Sequence, residues 1–238
     1  MKLPILVYHK IAPIPAGTRY PKNYVTPEQF DTQLAHLRWR GYRAITFADY
    51  FAYRRGARRL PSHSIILTFD DGYRSVREIA VPMLRRYGFV ATIFPVAGAL
   101  GKTNAWDADD IQEPLLDADE IRALGDEGFE FGSHTMTHPR LPSLDRGTAL
   151  AELIQSRERL GALLGKPVTT LCYPYGAYGA ETKALAGAAG YEGAAIVRRR
   201  MNVNSTDAFE LRRIPVTCRT STSQFAWDLV RLQWFYGP

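Results

Sequence analysis

Two short stretches hold nearly all the residue types that hydrolytic chemistry needs. The first is Thr68-Phe69-Asp70-Asp71-Gly72-Tyr73, in which two adjacent carboxylates close an otherwise apolar run. Like charges this close repel, so one proton stays bound unless a cation sits between them. Gly72 permits a sharp turn that could aim both side chains at one point. The second stretch is Gly132-Ser133-His134-Thr135-Met136-Thr137-His138-Pro139, with its two imidazoles in a His-x-x-x-His spacing. Neutral imidazoles ligate zinc and similar borderline ions, and the flanking Gly132 and Pro139 favour a tight loop. Taken singly, each stretch also has a plainer reading, as a solvated Asp-Asp-Gly turn or a pair of capping histidines. Together they offer a carboxylate and two imidazoles as ligands, with a second carboxylate to spare. Three protein ligands with open positions are the composition of a hydrolytic metal site. The spare Asp is then a candidate general base.

Both stretches follow an apolar run, and the surrounding pattern says what must hold them. Strands are predicted over residues 5–8, 44–47, 64–69, 91–96, 129–131, 169–173, 194–197 and 211–216. Amphipathic helices are predicted between them, beginning with one capped by Thr26 with Pro27 at its first position. Others cover 48–54, 75–87, 117–127 and 143–164, one follows Tyr178, and a last one carries Phe225, Leu229, Leu232 and Trp234. Residues 98–116 read as a long loop. This alternation argues for a parallel α/β domain, and in α/β barrels the chemistry sits where strands end.

The chain has 238 residues, 46% of them hydrophobic and 23% charged, enough for a full core and against extended disorder. Its formal charge of +6 is spread over several arginine clusters. No nucleic-acid recognition motif accompanies that charge, so no nucleic-acid partner is expected. Two cysteines, Cys172 and Cys218, exclude a disulfide framework by count, and pairing between them is left open. No apolar run approaches the ~20 residues that span a bilayer, and the opening residues lack a signal-type cleavage site. The expected location is cytoplasmic for the chain as given, or the cell envelope or exterior for a trimmed enzyme.

The motifs resemble those of carbohydrate esterase family 4, the NodB-homology polysaccharide deacetylases. Thr68 to Gly72 is similar to the family's first motif, and Ser133 to His138 to its second. The resemblance implies Asp70 as base and Asp71, His134 and His138 as ligands of a divalent metal. Zinc is the expected ion, with cobalt or nickel as alternatives. It also implies a distorted (β/α)7-type barrel, with residues 1–238 forming a single deacetylase domain. The third motif departs from the common form, because Leu171-Cys172-Tyr173-Pro174-Tyr175-Gly176 contains no Arg and no histidine follows His138. A Tyr-Pro-Tyr-Gly motif instead resembles the branch acting on poly-β-1,6-N-acetylglucosamine, in which an N-terminal Tyr-His segment supplies the acid. By that resemblance His9 is the candidate acid and its strand part of the site. Arg213 is either the cation that steers the base or a surface arginine. The backbone N–H of Tyr175 becomes the expected oxyanion donor.

Tyr173, Pro174, Tyr175 and Trp106 are candidate substrate contacts, since aromatic rings stack on pyranose faces. The expected activity is removal of N-acetyl groups from an N-acetylglucosamine polysaccharide, with poly-β-1,6-N-acetylglucosamine as the leading candidate. Other acetylated sugars (peptidoglycan, chitin oligomers, a lipid-linked saccharide) and a non-catalytic sugar-binding module are the alternatives. The aromatic C-terminal helix is expected to pack on the barrel, with weak contact to a membrane surface as a second role.

Overall fold

The computed structural model describes residues 2–234, with side chains through 231. In chain order the strands and helices begin with β1 (Ile5–Tyr8), β2 (Lys10–Ile11), β3 (Tyr24–Val25), α1 (Pro27–Trp39), β4 (Arg43–Ala44) and α2 (Phe47–Arg54). Then come β5 (Ser64–Asp71), α3 (Val81–Tyr87), β6 (Thr92–Pro95), α4 (Ala118–Asp126), β7 (Glu130–Phe131) and α5 (Arg146–Leu164). The chain continues through β8 (Thr170–Cys172), α6 (Ala180–Ala188), β9 (Gly193–Val197), β10 (Leu211–Pro215) and α7 (Thr222–Trp234).

Seven parallel strands run in the spatial order β7-β6-β5-β1-β10-β9-β8, and β4 pairs with the start of β5. The free edges nearly meet. Ser133, just past β7, bridges Leu171 of β8, with Ser133 N–H donating to Thr170 O and Cys172 N–H to Ser133 O, both at 2.8 Å. The result is the expected seven-stranded barrel with helices outside, closed along its last seam by a single bridge.

Strand alternation sorts the side chains. Ile65, Leu67 and Phe69 of β5 face the helices, where they join Phe30, Leu34 and Leu37 of α1. Ile66 faces the barrel interior with Ile5, Phe94, Cys172, Ala195 and Leu211, above a floor of Phe47, Tyr50 and Phe51 from α2. All of these are buried, and burying each aliphatic or aromatic side chain contributes about 1.5–3 kcal/mol. Just below the rim, Tyr8, Phe30 and Phe69 form an aromatic cluster with centroids 5.2–5.9 Å apart. It fixes β1, β5 and α1 together immediately before His9 and Asp70.

The boundaries depart from expectation in two places with clear causes. The strand predicted over 44–47 stops at Ala44 because Thr46 caps α2, its hydroxyl accepting from Asp49 N–H in a capping box. The helix predicted over 75–87 opens as a π-helical stretch, Val76–Ala80, in which Val81 N–H donates to Val76 O. Pro82 follows and has no N–H to continue an ordinary ladder, so the register shifts there. Phe225 and Leu229 of α7 are buried in the helix-side core. Leu232 and Trp234, expected on the same face, and Phe235 lie outside the described side chains. No helix among the described residues is long and apolar enough to cross a membrane. Cys172 and Cys218 are both free thiols.

Candidate active site

Continuing the inward register of β5 past Ile66 brings Thr68 and then Asp70 to the top of the barrel interior. The same alternation on β10 carries Arg213 inward above Leu211. The two meet as a fully buried, bidentate pair, with Nη1–Oδ1 2.6 Å and Nη2–Oδ2 2.7 Å. Arg213 Nη1 also donates to Thr68 Oγ1 at 3.1 Å, and Nη2 lies 3.0 Å from Cys172 Sγ. Alone, burial would raise the Asp70 pKa, but the guanidinium holds it below the usual carboxylate value. Arg213 is 1% exposed, so its surface reading is excluded.

Asp71 would point outward if the strand continued regularly. Instead it adopts φ 71° and Gly72 φ 78°, two consecutive left-handed residues that swing the Asp71 carboxylate back over the barrel mouth. Gly72 has no substitute here, because a Cβ would lie 2.8 Å from Pro95 Cβ.

The imidazole loop is built with equal constraint. Thr135 and His138 take φ 67° and 64°, a conformation non-glycine residues hold only when their surroundings enforce it. Ser133 Oγ accepts from Thr135 N–H and Thr135 Oγ1 from His138 N–H, both at 3.1 Å. Glu152 of α5 accepts from Met136 N–H, Thr137 N–H and Thr137 Oγ1 at 2.7–2.9 Å. The loop is thereby pinned to a helix at its tip and to β8 at its base.

Three donor atoms converge as a result. Asp71 Oδ1 lies 3.3 Å from His134 Nε2 and 3.5 Å from His138 Nε2, and the two nitrogens are 3.2 Å apart. Ligands 2.0–2.2 Å from one tetrahedral zinc ion stand roughly 3.3 Å from each other, so the set fits such an ion. His134 Nδ1 is 2.8 Å from Cys172 O. An N–H donated to that carbonyl leaves the Nε2 lone pair free to ligate. Burial pushes His138 down to about 3, with the neighbouring His134 adding to the effect, which keeps its ring neutral and able to ligate. Burial also opposes an imidazolium at His134, yet Cys172, Asp71 and Asp70 hold its pKa well above the usual value. Asp71 is held well below the carboxylate range despite its burial, by His134, His138 and His9. Two carboxylates stand against the Arg213 guanidinium, and a cation between the donors would take the place of the proton that His134 otherwise holds.

A cavity of about 340 Å³ opens over this set. His9 lines it beside Asp70 and Asp71, as do Trp106, Tyr173 and Tyr175. The Trp106 and Tyr175 rings flank His138, each 4.6 Å from its centroid. Tyr175 is 47% exposed and holds φ 59°. Pro174 is buried and does not line the cavity, so its part is to shape the turn that presents Tyr175. Sequence reasoning missed Arg140, whose guanidinium lies 4.3 Å above the Tyr175 ring, and Tyr20 and Asn23 on the cavity wall. It also missed Cys172 as a neighbour of Asp70, and Glu152. Arg140 stands two residues past His138, which could have flagged it; the others carried no local signal.

The sequence model of the polysaccharide deacetylase family matches residues 57–194. Bacillus subtilis (strain 168) YxkH, provisionally named a polysaccharide deacetylase, is 27% identical over 229 residues, covering 94% of this chain and 75% of YxkH. The poly-β-1,6-N-acetyl-D-glucosamine N-deacetylase of Staphylococcus aureus (strain MRSA252) is 26% identical over 196 residues, covering 79% of this chain and 67% of that enzyme. The solved structure of IcaB from Ammonifex degensii superposes with a TM-score of 0.79 at 26% identity, covering 95% of this chain and 97% of that one. The chain therefore belongs to the polysaccharide deacetylase family, the NodB-homology carbohydrate esterases, and is a hydrolase of the kind that acts on C–N bonds.

Proposed function

We propose that this chain is a divalent-metal-dependent N-deacetylase of an N-acetylglucosamine polymer, working as a single catalytic domain, with the β-1,6-linked polymer as preferred substrate. The observation that carries this reading is the placement of an ion-sized set of three donors beside a carboxylate locked by Arg213. The β-1,6 preference rests on the Staphylococcus aureus relative and on a Tyr-Pro-Tyr-Gly motif combined with a histidine in the first strand–loop segment.

Asp71, His134 and His138 hold the metal, with zinc the ion best suited to two imidazoles and one carboxylate. The bound ion supplies Lewis acidity toward the acyl oxygen and the attacking water. Asp70 takes the proton from that water as its oxygen attacks the carbonyl carbon. Arg213 makes Asp70 a weaker base but keeps it ionised and fixes its direction. The backbone N–H of Tyr175 donates to the oxyanion as it forms. His9 gives a proton to the sugar nitrogen as the C–N bond breaks, so that acetate and a free amine leave. Trp106 and Tyr175 offer ring faces to the pyranose on either side of the reacting group, while Tyr173 backs the turn.

The test is acetate release from defined β-1,6- and β-1,4-linked N-acetylglucosamine oligomers, with zinc, cobalt or nickel restored after chelation. Faster turnover of the β-1,6 series supports the reading. Preference for β-1,4 oligomers or peptidoglycan fragments moves the substrate but leaves the chemistry. No acetate from any acetylated sugar would leave a binding module.

A further inference from the structure

One buried charge lies outside the machinery above. Lys10 is 1% exposed, and an ammonium out of water costs several kcal/mol unless it is well partnered. Its Nζ lies 4.4 Å from the Tyr73 ring centroid and 4.6 Å from that of Tyr24. It donates to Tyr24 Oη at 3.1 Å and stands 3.7 Å from Glu113 Oε1. Tyr24 Oη in turn donates to Glu113.

Each partner comes from a different part of the cavity rim. Lys10 directly follows His9, Tyr73 directly follows the Asp70-Asp71-Gly72 turn, and Tyr24 ends the loop that carries Tyr20 and Asn23. Glu113 lies in the 98–116 loop that carries Trp106, and its N–H donates to Asn104 Oδ1 at 2.7 Å. The outer ends of the same two loops are also joined. Thr18 Oγ1 and Arg19 N–H donate to Asp110 at 3.0 and 2.8 Å. These outer bonds are largely exposed and individually weak. The Lys10 cluster at the base is more buried, with Lys10 1% and Glu113 19% exposed, so its electrostatic and cation–π contacts are the stronger fastening.

We infer that Lys10 is a positioning residue, whose ammonium fastens the 12–23 and 98–116 loops into one wall and so holds Trp106 beside His138. Its effect on catalysis rests on the deacetylase reading, but its effect on the loops does not. A residue in this role contributes to substrate capture without touching substrate, metal or the reacting atoms. It also explains why a lysine occupies a site where an apolar residue would bury more cheaply.

The test compares the full chain with Lys10→Met, which keeps the aliphatic stem between the two rings and removes the charge. Glu113→Gln is the second variant, removing the partner's charge from the less buried side so that a folded protein is available in either case. Three readouts are taken: zinc content, amide hydrogen exchange over residues 103–113, and kcat and KM on N-acetylglucosamine oligomers. Zinc content should be unchanged, and exchange over 103–113 should be at least tenfold faster in either variant. KM should rise more than kcat falls, for a loss in kcat/KM of about tenfold or more, and the double variant should be no worse than Lys10→Met alone. Wild-type exchange in that segment overturns the inference, even if the melting temperature drops. So do faster exchange with wild-type kcat and KM, and additive losses in the double variant. If the wild-type chain releases no acetate, the functional reading fails, and exchange alone decides whether Lys10 holds the wall.

Discussion

The guanidinium of Arg213 meets the carboxylate of Asp70 edge to edge, with paired contacts of 2.6 and 2.7 Å inside the barrel mouth. The residues lie 143 positions apart in sequence, yet strand alternation turns both to the inward face. Leu6 of β1 is level with Leu67 and with Ile214, so Arg213 starts lower in the barrel and its long side chain reaches up to Asp70. Arg213→Met should destabilise the fold by about 3–5 kcal/mol, because it leaves a buried carboxylate without its partner. Arg213→Lys keeps a charge but loses the fork, so it should recover much of the stability and little of the turnover. Asp70→Asn should lower kcat by roughly 10²–10⁴-fold with metal content intact. Thermal melts, metal analysis and steady-state kinetics check all three. An Asp70→Asn protein that turns over normally would remove Asp70 from the reaction.

The same pair sets a pH dependence. The folded-state pKa of Asp70 is depressed, so its contribution is complete above the unfolded carboxylate value and is lost as pH falls through the folded one. Measured on chelated protein, the melting-temperature gap between wild type and Arg213→Met should be wide at neutral pH. It should narrow below about pH 4. A gap of the same size at pH 3 would mean that ionisation of Asp70 contributes nothing.

For the ligand set, Asp71→Ala, His134→Ala and His138→Ala should each lose bound metal and activity together. Chelation of the wild-type enzyme should abolish turnover, and adding zinc should restore it. Because a ligand that binds only the folded state stabilises it, zinc should also raise the melting temperature of wild type but not of Asp71→Ala. Metal analysis with paired melts reads both effects.

His9 is tested through the leaving group. His9→Ala should cut N-deacetylation by at least 10²-fold, since an amine departs poorly without a proton. Hydrolysis of 4-nitrophenyl acetate, whose phenolate leaves unaided, should fall far less. Equal losses on both substrates would argue that His9 shapes the cavity and donates no proton.

Glu152 holds three donors of the imidazole loop from a neighbouring helix. Glu152→Ala should weaken zinc binding by roughly 10–100-fold, the range typical for losing outer support of a metal ligand. Competition titration against a chelator of known affinity measures it. Unchanged affinity would show that the left-handed turns at Thr135 and His138 hold by themselves.

The carboxylate and imidazole stretches were legible because their chemistry is local: each is a few consecutive residues at the end of an apolar run. The barrel was legible from the alternation of elements and from the motifs. What could not be read was distance across the barrel. Arg213 stood equally well as a surface residue, since nothing within its own strand says that Asp70 lies opposite. Nothing beside Cys172 in its strand, or beside Glu152 in its helix, marks either as a neighbour of the site. Lys10 carries no signal of its own beside His9, and only the packing of Tyr24 and Tyr73 shows it to be buried. Side chains that act through a neighbour leave no pattern until the neighbour is known.

The pairing of β1 with both β5 and β10 makes the first and last strands of the barrel immediate neighbours. The site thus draws His9 and Arg213 from the first and last strands of the barrel and Asp70 from the strand alongside. What matters to the chemistry is the cyclic order of strands around the barrel, and that order has no beginning. A circularly permuted gene, opened at an exposed turn far from the rim, would thread the same ring from another starting point and set the same groups face to face.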